Sequence, residues 1–474
     1  MSQPQKKKRK QMLFSSIIFI FAFLPIVVAL YYLFKGKRTA QNVILTFASL
    51  FFYAWGEPRF VLIMILSIIM NWLFALGVEK WRENKNISRL MVALSVACNL
   101  GILFIFKYLN FTLQNINNLG ISVPVTSIAL PIGISFFTFQ AMSYVIDVYR
   151  KNGSVQKNPL NIALYISFFP QLIAGPIVRY QTIADEIHNR VETVEDFSQG
   201  VCRFIIGFCK KVLLSNVMAL VADAAFDADG RSVAFAWVGA IAYTLQIFYD
   251  FSGYSDMGIG LGRMFGFHFL ENFDYPYISR SISEFWRRWH MSLGSWFRDY
   301  VYFPLGGSRV KTKSRLVFNL FVVWFLTGIW HGANWTFIIW GLIYFVLIAI
   351  EKLTGFANKL KGFGTIYTLF FVIMGWVLFR AENLTSAISY MKDMFGFGSM
   401  GLMCDKVIFY LSENKFEFIF GILFCIPVFK YVPEKIKNGK TANVVYPIAL
   451  MTLFVFAVSC IVKGAYNPFI YFNF

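Results

Sequence analysis

Seven stretches of this chain that are about one membrane span long contain no aspartate, glutamate, lysine or arginine. Each is close to the roughly 20 residues that an α-helix needs to cross the hydrocarbon core of a bilayer. Weaker apolar runs at 90–106, 199–222 and 407–429 add further candidates. The sequence therefore predicts an all-α polytopic membrane protein with about ten to twelve transmembrane helices. The charge-free runs are 11–34, 39–56, 60–78, 158–178, 232–249, 362–379 and 441–462.

The composition agrees with this class and restricts the partners. Hydrophobic residues make up 57% of the chain and charged residues only 15%, whereas a soluble domain carries roughly 25% charge. The net charge is +19, but the basic residues are scattered over the loops between apolar runs, which argues against nucleic acid as a partner. The charge favours attraction to anionic membrane lipids. A further interpretation is that some of these cations hold an anionic substrate.

The spacing of the polar segments predicts one membrane domain. The hydrophilic interruptions at 179–198 and 268–284 are too short to form a soluble core, so residues 12–474 are expected to form a single domain. Residues 1–11 are expected to be a basic extension. The apolar run that follows is too long for the h-region of a signal peptide and has no small-residue cleavage site, so we expect it to remain as a signal anchor.

Two charge-free stretches are too long for one span. Residues 316–350 would extend about 52 Å as a single helix, well beyond a hydrocarbon core of roughly 30 Å. We expect the helix to break near Gly328, Gly332 and Asn334, because glycine and asparagine interrupt helices readily. In residues 108–146, the polar run at 114–118 predicts an external loop, with a new helix beginning after Pro131-Ile132-Gly133.

His331 lies at the predicted break and is a candidate general base. Its sequence neighbours are apolar and aromatic, with no carboxylate nearby. Burial disfavours the imidazolium form, so the ring is expected to be neutral and able to accept a proton. Ionisable residues inside a membrane are usually functional. The alternative is a core histidine that is hydrogen-bonded to a carbonyl freed by the break.

His290 is the second of only four histidines with a suggestive position. The segment from Glu284 to Arg298 predicts an amphipathic helix in the headgroup plane, with one aromatic stripe and cations facing water. His290 could then meet the phosphates of a donor or assist proton transfer, or it could be a packing residue at the interface. The stripe comprises Trp286, Trp289, Leu293, Trp296 and Tyr300, whereas Arg287, Arg288, His290 and Arg298 lie largely off it.

Two carboxylates, Asp250 and Asp256, end another apolar run. They could orient a histidine, pair with Arg263 or Arg287, or cap a helix. The sequence has no Gly-x-Ser-x-Gly elbow, Walker loop or His-Glu-x-x-His motif, which disfavours a serine hydrolase, an ATP-driven pump and a zinc protease. The cysteines have no metal-ligand spacing, so no metal site is predicted.

Four motifs together resemble the membrane-bound O-acyltransferase superfamily, and within it the alginate O-acetylation branch. They are the stretch from Phe248 to Asp256, the step from Glu271-Asn272-Phe273 to Tyr277, the segment from Glu284 to Arg298, and Trp330-His331-Gly332. The resemblance extends over nearly the whole chain, and Met12 to Ser16 is similar to the start of that branch. Sister branches that acetylate peptidoglycan or transfer D-alanine share much of the pattern, so the acyl group remains open.

The resemblance implies a ring of transmembrane helices around a central tunnel, in the plasma (inner) membrane. It implies that His331 is the catalytic histidine and that His290 is a second recurrent histidine. The donor would be acetyl-CoA, used as a substrate and not as a bound cofactor, and the acyl group would pass to an extracytoplasmic SGNH-hydrolase-like protein that esterifies an exopolysaccharide. The candidates for binding donor or substrate are Arg287, Arg288, Asp250, Asp256, Trp330 and Asn334, with Arg309, Lys311 and Lys313 as further partners for the CoA phosphates.

One alternative from a different functional class is a polysaccharide transporter that performs no bond chemistry. Such a protein is expected to show duplicated halves with broken helices at matching places. The sequence shows one candidate break and no convincing repeat, which favours the enzyme.

Overall fold

A computed structural model describes residues 12–428, 440–464 and 466–470 of the chain, with the side chains of 440–443 excluded. The described part contains helices and no strands, which confirms the predicted all-α class. Within it, eight helices are long and apolar enough to cross a membrane. The proposed extension at 1–11 lies outside the described residues. The eight candidate spans are Val61–Lys80, Lys85–Asn118, Val194–Phe226, Val233–Met264, Lys313–His331, Trp335–Thr354, Lys361–Arg380 and Val444–Val462.

The chain divides into two compact units, and helices Val194–Cys209 and Val233–Met264 cross the boundaries between them. The first unit contains residues 1–204 and 257–269. Its interior includes a cluster of phenylalanine rings, in which the ring centroid of Phe19 lies 5.8 Å from that of Phe52 and 6.2 Å from that of Phe169. The helices of this unit are Phe19–Phe23 (π), Leu24–Leu33, Arg38–Gly56, Val61–Lys80, Lys85–Leu103, Phe104–Tyr108 (π), Leu109–Asn118, Ile134–Arg150, Pro159–Ser167, Phe169–Leu172, Tyr180–Ile183 and Glu186–Asn189.

The second unit contains residues 205–256 and 270–474 and holds both candidate histidines. Its core is unusually rich in tryptophan, with Trp340 and Trp376 almost completely buried. Its helices are Lys210–Ser215 (π), Asn216–Phe226, Pro276–Ile278 (3-10), Ile282–Arg288, Met291–Phe297, Arg298–Tyr302 (π), Lys313–His331, Trp335–Thr354, Phe356–Lys359, Lys361–Phe363 (3-10), Gly364–Arg380, Leu384–Met394, Asp405–Glu413, Lys415–Leu423 and Lys440–Val462.

The predicted break in the 316–350 run is confirmed. One helix, Lys313–His331, ends at the histidine, and the next, Trp335–Thr354, begins three residues beyond Gly332. We call this pair the histidine hairpin. Its helices pack closely through glycines, because a Cβ atom on Gly341 would lie 2.5 Å from the carbonyl oxygen of Trp324.

The prediction of a single span at 158–178 is wrong. Helix Pro159–Ser167 ends and a short helix, Phe169–Leu172, follows, after which the chain is not helical until Tyr180. Pro170 has no N–H with which to continue the first helix. Phe168 and Phe169 are fully buried, so this irregular backbone is covered by protein, as membrane proteins require.

Two other segments differ from expectation. The polar run at 114–118 forms the last turns of helix Leu109–Asn118 and not a loop, although the next helix does begin after Gly133, as predicted. The described part of the run at 407–429 is two short helices separated at Asn414. The run at 39–56 is one helix, Arg38–Gly56, but it buries polar side chains such as Gln41 and Ser49, and it is not among the eight candidate spans.

Candidate active site

His331 is the last residue of the first helix of the histidine hairpin. The backbone at Gly332 is extended, so the helix stops there, and the side chain of Asn334 accepts a hydrogen bond from the backbone N–H of Thr336 to begin the second helix. The amide of Asn334 also donates to the carbonyl oxygen of Glu382. Asn334, a candidate for substrate contact, therefore has a structural role in shaping the turn.

The imidazole of His331 is surrounded by aromatic rings. Its centroid lies 5.0 Å from Trp330, 5.0 Å from Trp340 and 5.2 Å from Phe379, and all three rings are nearly perpendicular to it. The residue is 7% exposed. A ring in such surroundings is poorly solvated, and poor solvation disfavours the charged form of an imidazole.

His290 lies at a break between two short helices, Ile282–Arg288 and Met291–Phe297. Its backbone is left-handed, with φ of 46°. The prediction of one continuous surface helix is therefore wrong, and His290 is buried with 2% exposure. The cause is a contact with a distant segment, because the N–H of Met291 donates to the carbonyl oxygen of Asn272 and the N–H of Asp274 donates to that of Arg288.

The side chain of His290 is held from two directions. Its Nδ1 lies 3.2 Å from Oδ1 of Asn272, and the edge of the ring meets Phe251 at a centroid distance of 4.5 Å. Burial lowers the pKa of His290 well below its usual range, and the proximity of His331 lowers it further. His290 is consequently neutral at physiological pH.

Trp330 connects the two histidines. Its ring centroid is 5.0 Å from that of His331 and 6.0 Å from that of His290, and the indole is 3% exposed. The structure thus brings together three of the predicted site residues. The arrangement places two buried imidazoles among aromatic rings, which is suited to proton transfer in a poorly solvated environment.

The two carboxylates of the 248–256 motif are bound to lysines. Asp250 is 2.5 Å from the Nζ of Lys211, and Asp256 is 2.6 Å from the Nζ of Lys210. Of the three roles considered for these carboxylates, an ion pair is observed with the lysines as the cations, and Arg263 donates to Gln199. The lysine pairs explain the buried carboxylates as structural ion pairs.

The basic candidates differ in their availability. Arg288 is bound to Glu284 and Asp274, each at 3.0 Å. Arg287, one residue before it, is exposed, as are Arg309, Lys311 and Lys313 at the start of the histidine hairpin. Arg287 is therefore a better candidate than Arg288 for binding an anionic donor.

Asn272 and Lys211 are two important residues that sequence reasoning did not single out as site or core groups. Asn272 belongs to the Glu271-Asn272-Phe273 motif and is 1% exposed, so an asparagine within a motif was the available signal. Lys211 lies in an apolar helix, where a cation needs a partner, but nothing in the sequence indicates which carboxylate it meets.

Comparison with known proteins agrees with this architecture. The sequence model of the membrane-bound O-acyltransferase family, MBOAT, matches residues 47–391. The chain is 39% identical to the "Probable alginate O-acetylase AlgI" of Pseudomonas putida, over 98% of this chain and 100% of that protein. It is 45% identical to the protein of the same name from Pseudomonas syringae, over 82% and 76% of the two chains. It is 33% identical to the "Peptidoglycan O-acetyltransferase" of Helicobacter pylori, over 98% of each.

The chain belongs to the membrane-bound O-acyltransferase family, and within it to the AlgI-type branch. It is therefore a multi-pass membrane O-acyltransferase. This result supports the enzyme over the alternative of a transporter without bond chemistry.

Proposed function

We propose that this protein lies in the plasma (inner) membrane and transfers an acetyl group from cytosolic acetyl-CoA to an exported, alginate-like polysaccharide. An extracytoplasmic SGNH-hydrolase-like protein would carry the acetyl group to the polymer. Support comes from the full-length similarity to proteins named as alginate O-acetylases. A further relative is named as a peptidoglycan O-acetyltransferase, and this name also specifies an acetyl group. The names therefore favour acetyl over D-alanyl as the acyl group.

His331 is the general base of the proposed reaction. Its neutral imidazole accepts the proton of an acceptor hydroxyl as the oxygen attacks the thioester carbonyl. The new C–O bond forms, the C–S bond breaks, and the proton passes from the imidazolium to the thiolate of CoA. General-base catalysis of this kind contributes about 10²–10⁴-fold, and the aromatic surroundings of His331 keep the ring neutral beforehand.

His290 and Trp330 complete the proposed site. The indole of Trp330 contacts both imidazole rings, so it fixes their spacing, while neutral His290 assists proton transfer beside His331. Exposed Arg287 is the proposed contact for the CoA phosphates, since arginine binds phosphate through a rigid fork of donors.

The observation that carries this proposal is the buried His331 at the break of the histidine hairpin, beside Trp330 and His290. The test measures acetyl content of the exported polymer in cells that express His331→Gln at the same level as the unaltered protein. Loss of acetylation is expected. His268→Gln at the same expression level is the control, because His268 is exposed and binds Glu186 and Asp196, and the matched level removes its expected effect on stability. Normal acetylation with His331→Gln would reject the assignment.

The donor and the partner need a separate experiment. Purified protein in lipid vesicles is given acetyl-CoA with a radiolabelled acetyl group, with and without the SGNH-like protein. Label on the partner is expected only when both proteins are present. If the partner is labelled from a D-alanyl donor and not from acetyl-CoA, the transferred group is D-alanyl and the acetyl assignment is wrong.

A further inference from the structure

We infer that Asn272 is a positioning residue that sets the tautomer of His290, placing its ring proton on Nδ1 and leaving the lone pair on Nε2. The two residues are distant in sequence but meet in the buried interior of the second unit. Asn272 is 1% exposed and His290 is 2% exposed. The contact joins Oδ1 of Asn272 and Nδ1 of His290 at 3.2 Å.

The orientation of the Asn272 amide is fixed by a backbone group. The N–H of Ser292 lies 3.1 Å from Oδ1 of Asn272. A backbone N–H can only donate, so the amide atom that faces it must be the oxygen and not the nitrogen. The hydroxyl of Ser292 lies 2.8 Å from the same oxygen and donates to it as well.

The tautomer of His290 follows from this orientation. The oxygen of Asn272 has no hydrogen, so Nδ1 of His290 must provide the proton in their hydrogen bond. Because the ring is neutral, one nitrogen carries the proton and the other carries the lone pair. The lone pair of Ser292 Oγ, 3.4 Å from Nδ1, faces the same N–H. The basic nitrogen of His290 is therefore Nε2.

This inference deepens the proposed function and rests on it for its catalytic meaning. With the lone pair on Nε2, the ring can accept a hydrogen bond or a proton at that atom. If Nδ1 were basic, the lone pair would point at the oxygen of Asn272 and would repel it. Asn272 acts through His290. Its backbone carbonyl oxygen also accepts a hydrogen bond from the N–H of Met291, which stabilises the helix break at His290.

The direct test is nitrogen NMR of the full-length protein in lipid, labelled with ¹⁵N-histidine. The chain has four histidines, so the His290 signals are assigned by their loss in His290→Gln. A protonated Nδ1 and an unprotonated Nε2 are expected. Ser292→Ala is the matched control, since it keeps the backbone N–H that orients Asn272. The tautomer of His290 should be unchanged in this variant. A protonated Nε2 in the unaltered protein would overturn the inference.

Two variants at Asn272 extend the test to activity. Asn272→Leu removes the acceptor and is expected to yield a mixture of tautomers and a kcat lowered by about 10²-fold, with the KM for acetyl-CoA unchanged. Asn272→Asp keeps an oxygen acceptor but adds a negative charge that stabilises the imidazolium form of His290. This variant should therefore need a higher pH than the unaltered protein to reach full activity. If Asn272→Leu keeps a pure Nδ1–H tautomer, the positioning role is rejected.

The same data separate this inference from the proposed function. Should His290→Gln acetylate normally while the spectrum shows Nδ1–H, the tautomer assignment stands and the catalytic role of His290 fails. Should His290→Gln be inactive while the spectrum shows Nε2–H, the role of His290 stands and the assignment to Asn272 fails.

Discussion

The Nζ of Lys211 lies 2.5 Å from a carboxylate oxygen of Asp250, and both side chains are 1% exposed. The pair also holds residues 466–470, which we call the tail. Lys211 donates to the carbonyl oxygen of Pro468, and Asp250 accepts from the N–H of Ile470 at 2.8 Å. Asp250, which belongs to the motif at 248–256, therefore connects two helices to the tail, and its role is to hold the second unit together.

Removing one partner of this pair should destabilise the protein strongly. Lys211→Met leaves the buried carboxylate of Asp250 without its cation, which costs about 3–5 kcal/mol in buried pairs. The measurement is the apparent melting temperature in detergent. The double variant Lys211→Met with Asp250→Asn should recover part of the loss, because no buried charge then remains unpaired.

The adjacent lysine provides a matched control. Lys210 pairs with Asp256 at 2.6 Å, and the two side chains are 30% and 7% exposed, so Lys210→Met should cost less than Lys211→Met because water reaches the lysine. Equal losses for the Lys210 and Lys211 variants would contradict the conclusion that complete burial makes the Lys211–Asp250 pair the more stabilising of the two.

The two histidines show where sequence reasoning succeeds and where it fails. The break at His331 was predictable because local residues cause it: Gly332 ends one helix and Asn334 begins the next. The break at His290 was not, since Trp286 to Arg298 has a helical pattern throughout. Backbone bonds from the distant segment at 272–274 interrupt the helix there, and tertiary contacts of this kind override local periodicity.

The ion pairs give the same lesson. The sequence indicated that Asp250 and Asp256 could pair with a cation, but it pointed to Arg263 and Arg287 and not to the two lysines. Which cation meets which carboxylate depends on how two helices pack, and helix Val233–Met264 places both carboxylates against the consecutive lysines 210 and 211. Hydropathy predicted the spans in outline, but it could not predict that Pro170 divides an apolar run within the core.

The close packing of the histidine hairpin predicts the effect of a single methyl group. Gly341→Ala would place a Cβ atom 2.5 Å from the carbonyl oxygen of Trp324 and 3.1 Å from Gly328. The backbones must separate, at a cost of about 1–3 kcal/mol, and His331 at the end of the first helix moves with them. We expect a lower melting temperature and weaker acetyl transfer. Gly101→Ala is the control, because no atom beyond its own turn of helix and chain neighbours lies within 4 Å of its Cβ position. A similar loss there would refute the packing argument.

A third prediction concerns pH. His268, outside the candidate spans, lies between two carboxylates, with Nδ1 at 2.8 Å from Glu186 and Nε2 at 3.3 Å from Asp196. Burial alone would lower the pKa of His268, but the hydrogen bonds to Glu186 and Asp196 outweigh it and raise the pKa above its usual value. Both ring nitrogens can donate only in the imidazolium form.

The sign of the effect follows from this shift. A pKa raised by folding gives stability that is fully present below the unfolded value of about 6.5 and is lost as the pH rises through the folded value. His268→Gln should therefore lower the melting temperature at pH 5.5 and have much less effect at pH 9. A difference between variant and unaltered protein that is the same at both pH values would show that the imidazolium does not contribute.

Arg287 and Arg288 are neighbours in sequence with different predicted roles. Arg288 is bound to Glu284 and Asp274, whereas Arg287 is exposed and is the proposed phosphate contact. Arg287→Glu should raise the KM for acetyl-CoA by about 10-fold or more, the value of a charge-assisted hydrogen bond, with the melting temperature retained. Arg288→Glu should lower the melting temperature, because it places a third carboxylate beside two others. Steady-state kinetics in vesicles measure the donor KM and are repeated at high salt, which screens the attraction between Arg287 and the phosphates. Thermal unfolding measures the loss of stability. An unchanged donor KM in Arg287→Glu would exclude this arginine from the donor site.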